Sequence, residues 1–197
     1  MRIAVSGSFS TGKTTLIKDF VSCIQNQDFK VIEEVARTVI ANGLELDKKA
    51  TIDSYLFYIY LQLTNERKYS KYENVISDRI LIDSLSYIRV NKDKSISTYL
   101  KYLLKEIIEI EKKYYDIFIY LPIEFEPVAD GIRETDIAYQ NIVNLELLNI
   151  YKELGIQYYE IRGSRKVRLM KMNDLINGGY NSKIEILTTT NDKNACR

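Results

Sequence analysis

The chain has 197 residues, 46% of them apolar and 28% charged, with a net charge of +1; this suits one domain with a sizeable core and supplies no global field for nucleic acid or an anionic membrane. No histidine is present, so a Ser/His triad, a histidine base and a His-ligated zinc are excluded, and any chemistry falls to carboxylates, lysine, arginine, backbone amides and a bound ion. Cys23 and Cys196 make no metal-type or redox-type pair, and no signal-peptide core or membrane-length apolar run occurs, so a cytoplasmic protein is expected.

In chain order, Arg2 to Ser6 (RIAVS) reads as a buried strand. It runs straight into Gly7, Ser8, Phe9, Ser10, Thr11, Gly12, Lys13, Thr14 and Thr15, which contain G-x-x-x-x-G-K-[ST] in full. Glycines let the backbone turn its N–H groups inward around phosphates, and a helix starting at Lys13 points its positive end at the same anion. Lys13 is placed to reach the β- and γ-phosphates of ATP, and the Thr14 hydroxyl to ligate Mg²⁺. That helix is expected to run to about Gln25, with Leu16, Phe20 and Ile24 on one face.

Phe29 to Ile32 is a second strand, ending at Glu33 and Glu34. Ligands of an open α/β sheet lie beyond the carboxyl ends of its strands. Glu34 is therefore the preferred group to orient an acceptor hydroxyl or take its proton, ahead of Glu33, although a solvated glutamate pair opening a helix would look the same. Arg37 either binds an acceptor phosphate or pairs with a carboxylate. An aromatic-rich helix follows from Thr51 to about Tyr69, where Tyr55 or Tyr58 offers a face for stacking a base. Asn74 to Ser77 is a third strand closed by Asp78, a candidate for the Mg²⁺ shell that would equally suit a helix N-cap.

Helices are expected from Asp83 to about Val90 and, with a long amphipathic pattern, from Ile96 to Tyr114. Asp116 to Leu121 is a fourth strand. The only two prolines, Pro122 and Pro127, then bound a special connection leading to Asp130-Gly131 and Arg133. An arginine on such a connection could neutralise charge on a moving phosphoryl group, or pair with Glu134 or Asp136. A helix from about Thr135 to Leu154 is ended by Gly155, Ile156 to Ile161 is a fifth strand, and Arg165 to Ile176 a last helix. Arg165 either covers adenine or only starts that helix. Residues 178–197 form a polar tail whose short apolar patch, Ile184 to Leu187, is an edge strand or a loose segment. Strands alternating with helices imply βαβ crossovers and an α/β fold with helices on both faces of a parallel sheet.

The phosphate loop, EVAR (Glu34 to Arg37), SDRILIDSLSY (Ser77 to Tyr87) and VADGIRETD (Val128 to Asp136) together resemble the AAA_28-type P-loop domain. That group is similar to the ribosylnicotinamide kinase domain of bacterial NAD-salvage proteins and to the wider nucleoside and nucleotide kinases. The resemblance covers about Arg2 to Ile176. It implies a P-loop NTPase three-layer sandwich over residues 1–177, a five-stranded sheet in the order 2-3-1-4-5, ATP with Mg²⁺, and phosphorylation of a small acceptor, either a nucleoside or a nucleotide. It also places Glu34, Asp78, Asp83 and Arg133 at motif positions, Asp83 on the acceptor side. A regulatory ATPase that signals to a protein partner would need the same loop. A homodimer is compatible with the sequence, and no residue requires one.

Overall fold

The computed structural model describes residues 1–23, 28–127 and 135–178. Five strands form one parallel sheet: β1 (Arg2–Ser6), β2 (Lys30–Ile32), β3 (Val75–Asp78), β4 (Ile117–Tyr120) and β5 (Tyr159–Glu160), in the order β2-β3-β1-β4-β5. This is the expected order. The helices are α1 (Lys13–Cys23), α2 (Ala36–Ala41), α3 (Ile52–Tyr69), α4 (Leu81–Val90), α5 (Lys94–Glu111), α6 (Ile137–Glu153) and α7 (Arg165–Ile176), with 3-10 turns at Asp47–Lys49 and Lys112–Tyr114.

The central strand shows why the sheet is buried on both faces. Ile3 and Val5 point into a core shared with Leu16, Phe20 and Met172 of α1 and α7. Ala4, between them, points into the core made by α3, α4, α5 and α6. β4 repeats the pattern, with Ile119 on the first side and Phe118 and Tyr120 on the second. Period-two alternation thus divides apolar side chains between two helical layers, leaving the central strand a continuous apolar run, as parallel sheets require. Three layers result.

Local signals set most helix ends. Thr51 and Ser54 form a reciprocal capping box for α3. Asp136 Oδ1 accepts from the Tyr139 amide to cap α6. At its other end Gly155, at φ 62°, is followed by an Ile156 N–H that bonds the Tyr151 carbonyl, a Schellman close. Two expectations change. The fifth strand pairs over Tyr159–Glu160 alone, since it is the sheet edge and has one neighbour. The fourth helix begins at Leu81, ahead of Asp83, because the Asp83 carboxylate accepts from the Ile80 amide and pulls the first turn forward. The tail patch at Ile184 to Leu187 and the Val128 to Glu134 segment lie outside the described residues. Among the described residues no helix is long and apolar enough to cross a membrane.

Candidate functional site

The site begins where β1 ends. Gly7 has φ 146°, and a Cβ there would sit 2.5 Å from the Leu121 carbonyl oxygen, so only glycine lets β1 leave the sheet this close to β4. Gly12, at φ 86°, completes the turn into α1. The loop is braced from α6: Ser8 Oγ donates to the Gln140 carbonyl at 3.0 Å, and Gln140 Nε2 donates to the Phe9 carbonyl at 2.6 Å. It is braced again from α7, where Arg168 Nη1 donates to the Thr11 carbonyl at 2.5 Å and Nη2 to Glu124 Oε2 at 2.5 Å. Neither Gln140 nor Arg168 was visible in the sequence, since each acts on the loop from more than a hundred residues away.

Lys13 lies inside this loop. Its ammonium donates to the carbonyls of Gly7 at 2.9 Å and Ser8 at 2.5 Å. Burial, and then the nearby Arg79 charge, lower its pKa to about 7. Thr14 Oγ1 and Asp78 Oδ2 are 2.5 Å apart. Asp78 Oδ1 is buried with no partner among the described residues, and burial raises the carboxyl's pKa. A hydroxyl beside a carboxylate with one uncommitted buried oxygen is a hard-donor pair of the kind Mg²⁺ takes when it keeps several waters, so these residues fit that ion.

Glu34 and Asp83 meet through Arg79, which follows Asp78 in the sequence and to which no separate role was assigned there. Arg79 takes φ 79°, a left-handed turn immediately after β3. This swings its guanidinium under the phosphate loop, where Nε pairs with Glu34 and Nη1 donates to the Gly7 carbonyl at 3.1 Å. Asp83 lies 3.6 Å from the same guanidinium. The sequence placed Asp83 on the acceptor side; the structure instead engages both of its oxygens within the fold. Oδ1 accepts from Ser6 Oγ at 2.9 Å and the Gly7 amide at 3.1 Å, and Oδ2 from the Ile80 amide at 3.1 Å. It pins the start of α4 to the end of β1 and is 1% exposed.

Two pockets open around these groups. One is a wide cleft along the front of the phosphate loop, lined by Lys13, Thr14, Thr15 and Asp78, with Glu33 and Arg37 on its far wall. The other is a small aromatic-lined recess with a cavity volume of about 60 Å³, well below the ~300–1,000 Å³ of typical small-molecule sites. Its walls carry Phe9, Tyr55, Tyr58 and Tyr87, and its charged residues are Glu34, Asp47 and Arg79. Among the described lining residues, Glu34 belongs to both. Arg165 lies at neither: it opens α7 on the surface and makes a bidentate pair with Asp19 of α1, at 2.6 Å for both bonds. This favours the helix-starting reading over the adenine-covering one. Arg133 lies outside the described residues.

A phosphate loop leaving the first strand of a 2-3-1-4-5 parallel sheet, with helices on both faces, is a P-loop NTPase fold. The chain belongs to the AAA_28 family, described as an AAA domain, whose model matches residues 2–168. Solved structures agree on the fold. The deoxyadenosine kinase of M. mycoides with bound dATP superposes at a TM-score of 0.66 with 15% identity, over 90% of this chain and 100% of that one. NadR in complex with NAD and AMP-PNP gives 0.71 and 24% over 95% of this chain, which spans 51% of NadR. Thymidylate kinase from Candida albicans gives 0.63 and 14%, covering 90% of this chain and 91% of that one. Nothing matches among the curated proteins.

Proposed function

We propose that this protein is a cytoplasmic ATP-dependent kinase that transfers the γ-phosphoryl group to a small nucleoside or nucleotide acceptor. The observation that carries this reading is the position of Glu34 on the wall common to the phosphate-loop cleft and the aromatic pocket. A carboxylate there has the donor phosphates on one side and the acceptor on the other, where general-base or orienting chemistry is needed. An aromatic-lined recess sharing Glu34 with the phosphate-loop cleft suits an acceptor and has no task in a nucleotide switch, so it favours the kinase reading over the regulatory one.

Each group then has a task. The amides of Gly7 to Thr15 cradle the phosphates, and the Lys13 ammonium turns from the Gly7 and Ser8 carbonyls to the phosphate oxygens. Thr14 and Asp78 would hold Mg²⁺, which would supply positive charge against the phosphates. Glu34 orients the acceptor hydroxyl and takes its proton as the oxygen attacks phosphorus, with Arg79 setting the carboxylate's direction. Arg37 in the cleft adds positive charge near the transferred group, a role that the sequence also offers to Arg133. The fold neighbours, a deoxyadenosine kinase, NadR and a thymidylate kinase, support the substrate class.

The test is ADP formation by purified protein with ATP, Mg²⁺ and a panel of nucleosides and monophosphates. Acceptor-dependent ADP release is expected, and Glu34→Gln should lower kcat by about 10²-fold or more while KM for ATP changes little. ADP release that is slow and indifferent to every acceptor would instead support the switch.

A further inference from the structure

We infer that Ser77 and Gln62 are positioning residues for the transfer step: together they hold the Arg79 carbonyl, fix the left-handed turn of that residue, and so aim its guanidinium at Glu34. The inference rests on the kinase reading and adds to it the groups that set the direction of its base.

The first observation is the backbone of Arg79. Its φ of 79° lies in the left-handed region, where an arginine has neither the freedom of glycine nor the short polar side chain that helps aspartate and asparagine. Such a conformation persists where the surroundings over-determine it. The Arg79 N–H donates to the Val5 carbonyl of β1 at 3.0 Å. The Arg79 carbonyl accepts from Ser77 Oγ at 2.5 Å and from Gln62 Nε2 at 3.4 Å. The residue is thus held by β1, β3 and α3 at once.

The second observation is Gln62 itself. It is fully buried on α3, and its Oε1 has no partner among the described residues. An unpaired buried oxygen is a cost that a leucine would avoid, so the value of this side chain lies in its donors. Both amide protons are in use: one goes to the Arg79 carbonyl, the other to Glu66 Oε1 at 2.8 Å. Because both of these partners are acceptors, the amide can face only one way. Glu66 is fixed in turn by Tyr115 Oη, which donates to the same oxygen at 2.9 Å. Gln62 is therefore an oriented donor anchored from the segment that leads into β4.

The third observation is what the turn delivers. The Arg79 side chain is buried, with Nε on Glu34, Nη1 on the Gly7 carbonyl at 3.1 Å, and its guanidinium 5.5 Å over the Tyr87 ring. A different φ at this residue would carry the guanidinium off Glu34. Ser77 and Gln62 are absent from the described lining of both the cleft and the recess. Their influence on a bound substrate has to pass through Arg79.

The experiment is a set of double-mutant cycles on acceptor-dependent ADP formation by the full chain. Gln62→Met keeps the volume and removes both donors; Ser77→Ala removes the hydroxyl, and Ser77→Thr restores it on a residue suited to a strand. Gln62→Met and Ser77→Ala should each lower kcat about tenfold while KM for ATP moves less than about twofold, and Ser77→Thr should keep about half of kcat or more. In an Arg79→Met background, where the guanidinium is already gone, adding either change should cost less than about a further twofold. A purely structural role would instead multiply in full with Arg79→Met, and that result overturns the inference. So does a kcat that neither Gln62→Met nor Ser77→Ala lowers; in both cases the kinase reading stands. Should a methionine variant fail to fold, Ser77→Ala and Ser77→Thr, each measured alone and with Arg79→Lys, decide by the same rule. A parent protein without acceptor-dependent transfer removes the kinase reading, and the inference with it.

Discussion

At the scale of single residues, Lys13 combines two demands that conflict. It must be cationic beside phosphates, yet burial and Arg79 lower its pKa to about 7. Phosphates brought against it favour the charged form and raise that pKa again. Near pH 8, ATP binding should therefore take up close to one proton per chain. Calorimetric binding enthalpies in buffers of different ionisation heat would show it as a slope, absent in Lys13→Met; no slope in the parent protein would contradict it. The same shift has a sign for stability. A lysine lowered from 10.5 to about 7 is charged in the unfolded chain and neutral in the fold between those values, so this group's contribution to stability rises with pH across that window. Lys13 was legible from sequence because its motif is contiguous. Arg79 was not, although it adjoins the legible Asp78. Period-two alternation sends consecutive strand side chains to opposite faces, so a strand-based reading discards the neighbour of a site residue. The left-handed φ at Arg79 breaks that rule, and only coordinates reveal it.

At the scale of elements, the phosphate loop owes its shape to helices distant in sequence. Arg168 of α7 ties the Thr11 carbonyl to Glu124 and lies 4.9 Å over the Phe125 ring, so the loop, the last helix and the segment after β4 meet at one buried guanidinium. Arg168→Met should cost about 2 kcal/mol or more, because Glu124 loses its charge partner and the Thr11 carbonyl its donor. The double change with Glu124→Gln should cost less than the sum of the single changes, which thermal unfolding of the three variants would resolve. A second contact joins α3 to α5. Tyr115 Oη donates to Glu66 Oε1 at 2.9 Å, and the neighbouring Glu111 is pushed up to about 9, by burial first and then by its hydrogen bond to Glu66. A carboxyl raised in the fold holds a proton there that the unfolded chain has released. Stability from this group is thus full below about 4.5 and falls as pH rises toward 9. Glu111→Gln should flatten that part of the stability profile, and an unchanged slope would refute the shared proton. The short α2 and the turn at Asp47–Lys49 went unread because six and three residues are too few for periodicity to register. Asp47 was hidden with them.

At the scale of the whole molecule, strand order converts distant segments into one crevice. β1 lies between β3 and β4, so the chain leaves it at the point where successive connections diverge to opposite sides, and everything placed at the carboxyl ends of β1, β2 and β3 converges there. This explains what could be read beforehand. Strand-end positions are local features, so Glu34 and Asp78 were legible; the pocket behind them draws on α2, α3, α4 and a turn, and no spacing in the chain encodes that meeting. The same architecture makes a prediction about the molecule as a unit. The loop is bound to α6 through Gln140, to α7 through Arg168 and to α4 through Asp83. A nucleotide that grips the loop should therefore stabilise both helical layers together, not the loop alone. With Mg·ATP analogue at about 100 times its dissociation constant, the fold gains about 2.7 kcal/mol by mass action, which for a chain of this size moves the midpoint of thermal unfolding by roughly 5–10 °C. The transition should stay single, and probes of α5, remote from the loop, should shift as far as probes of α1. Lys13→Ala should remove most of the shift without lowering the midpoint of the protein alone by a comparable amount. A shift confined to probes near α1, with α5 melting at its original temperature, would mean that the loop and the far helical layer are not one cooperative body.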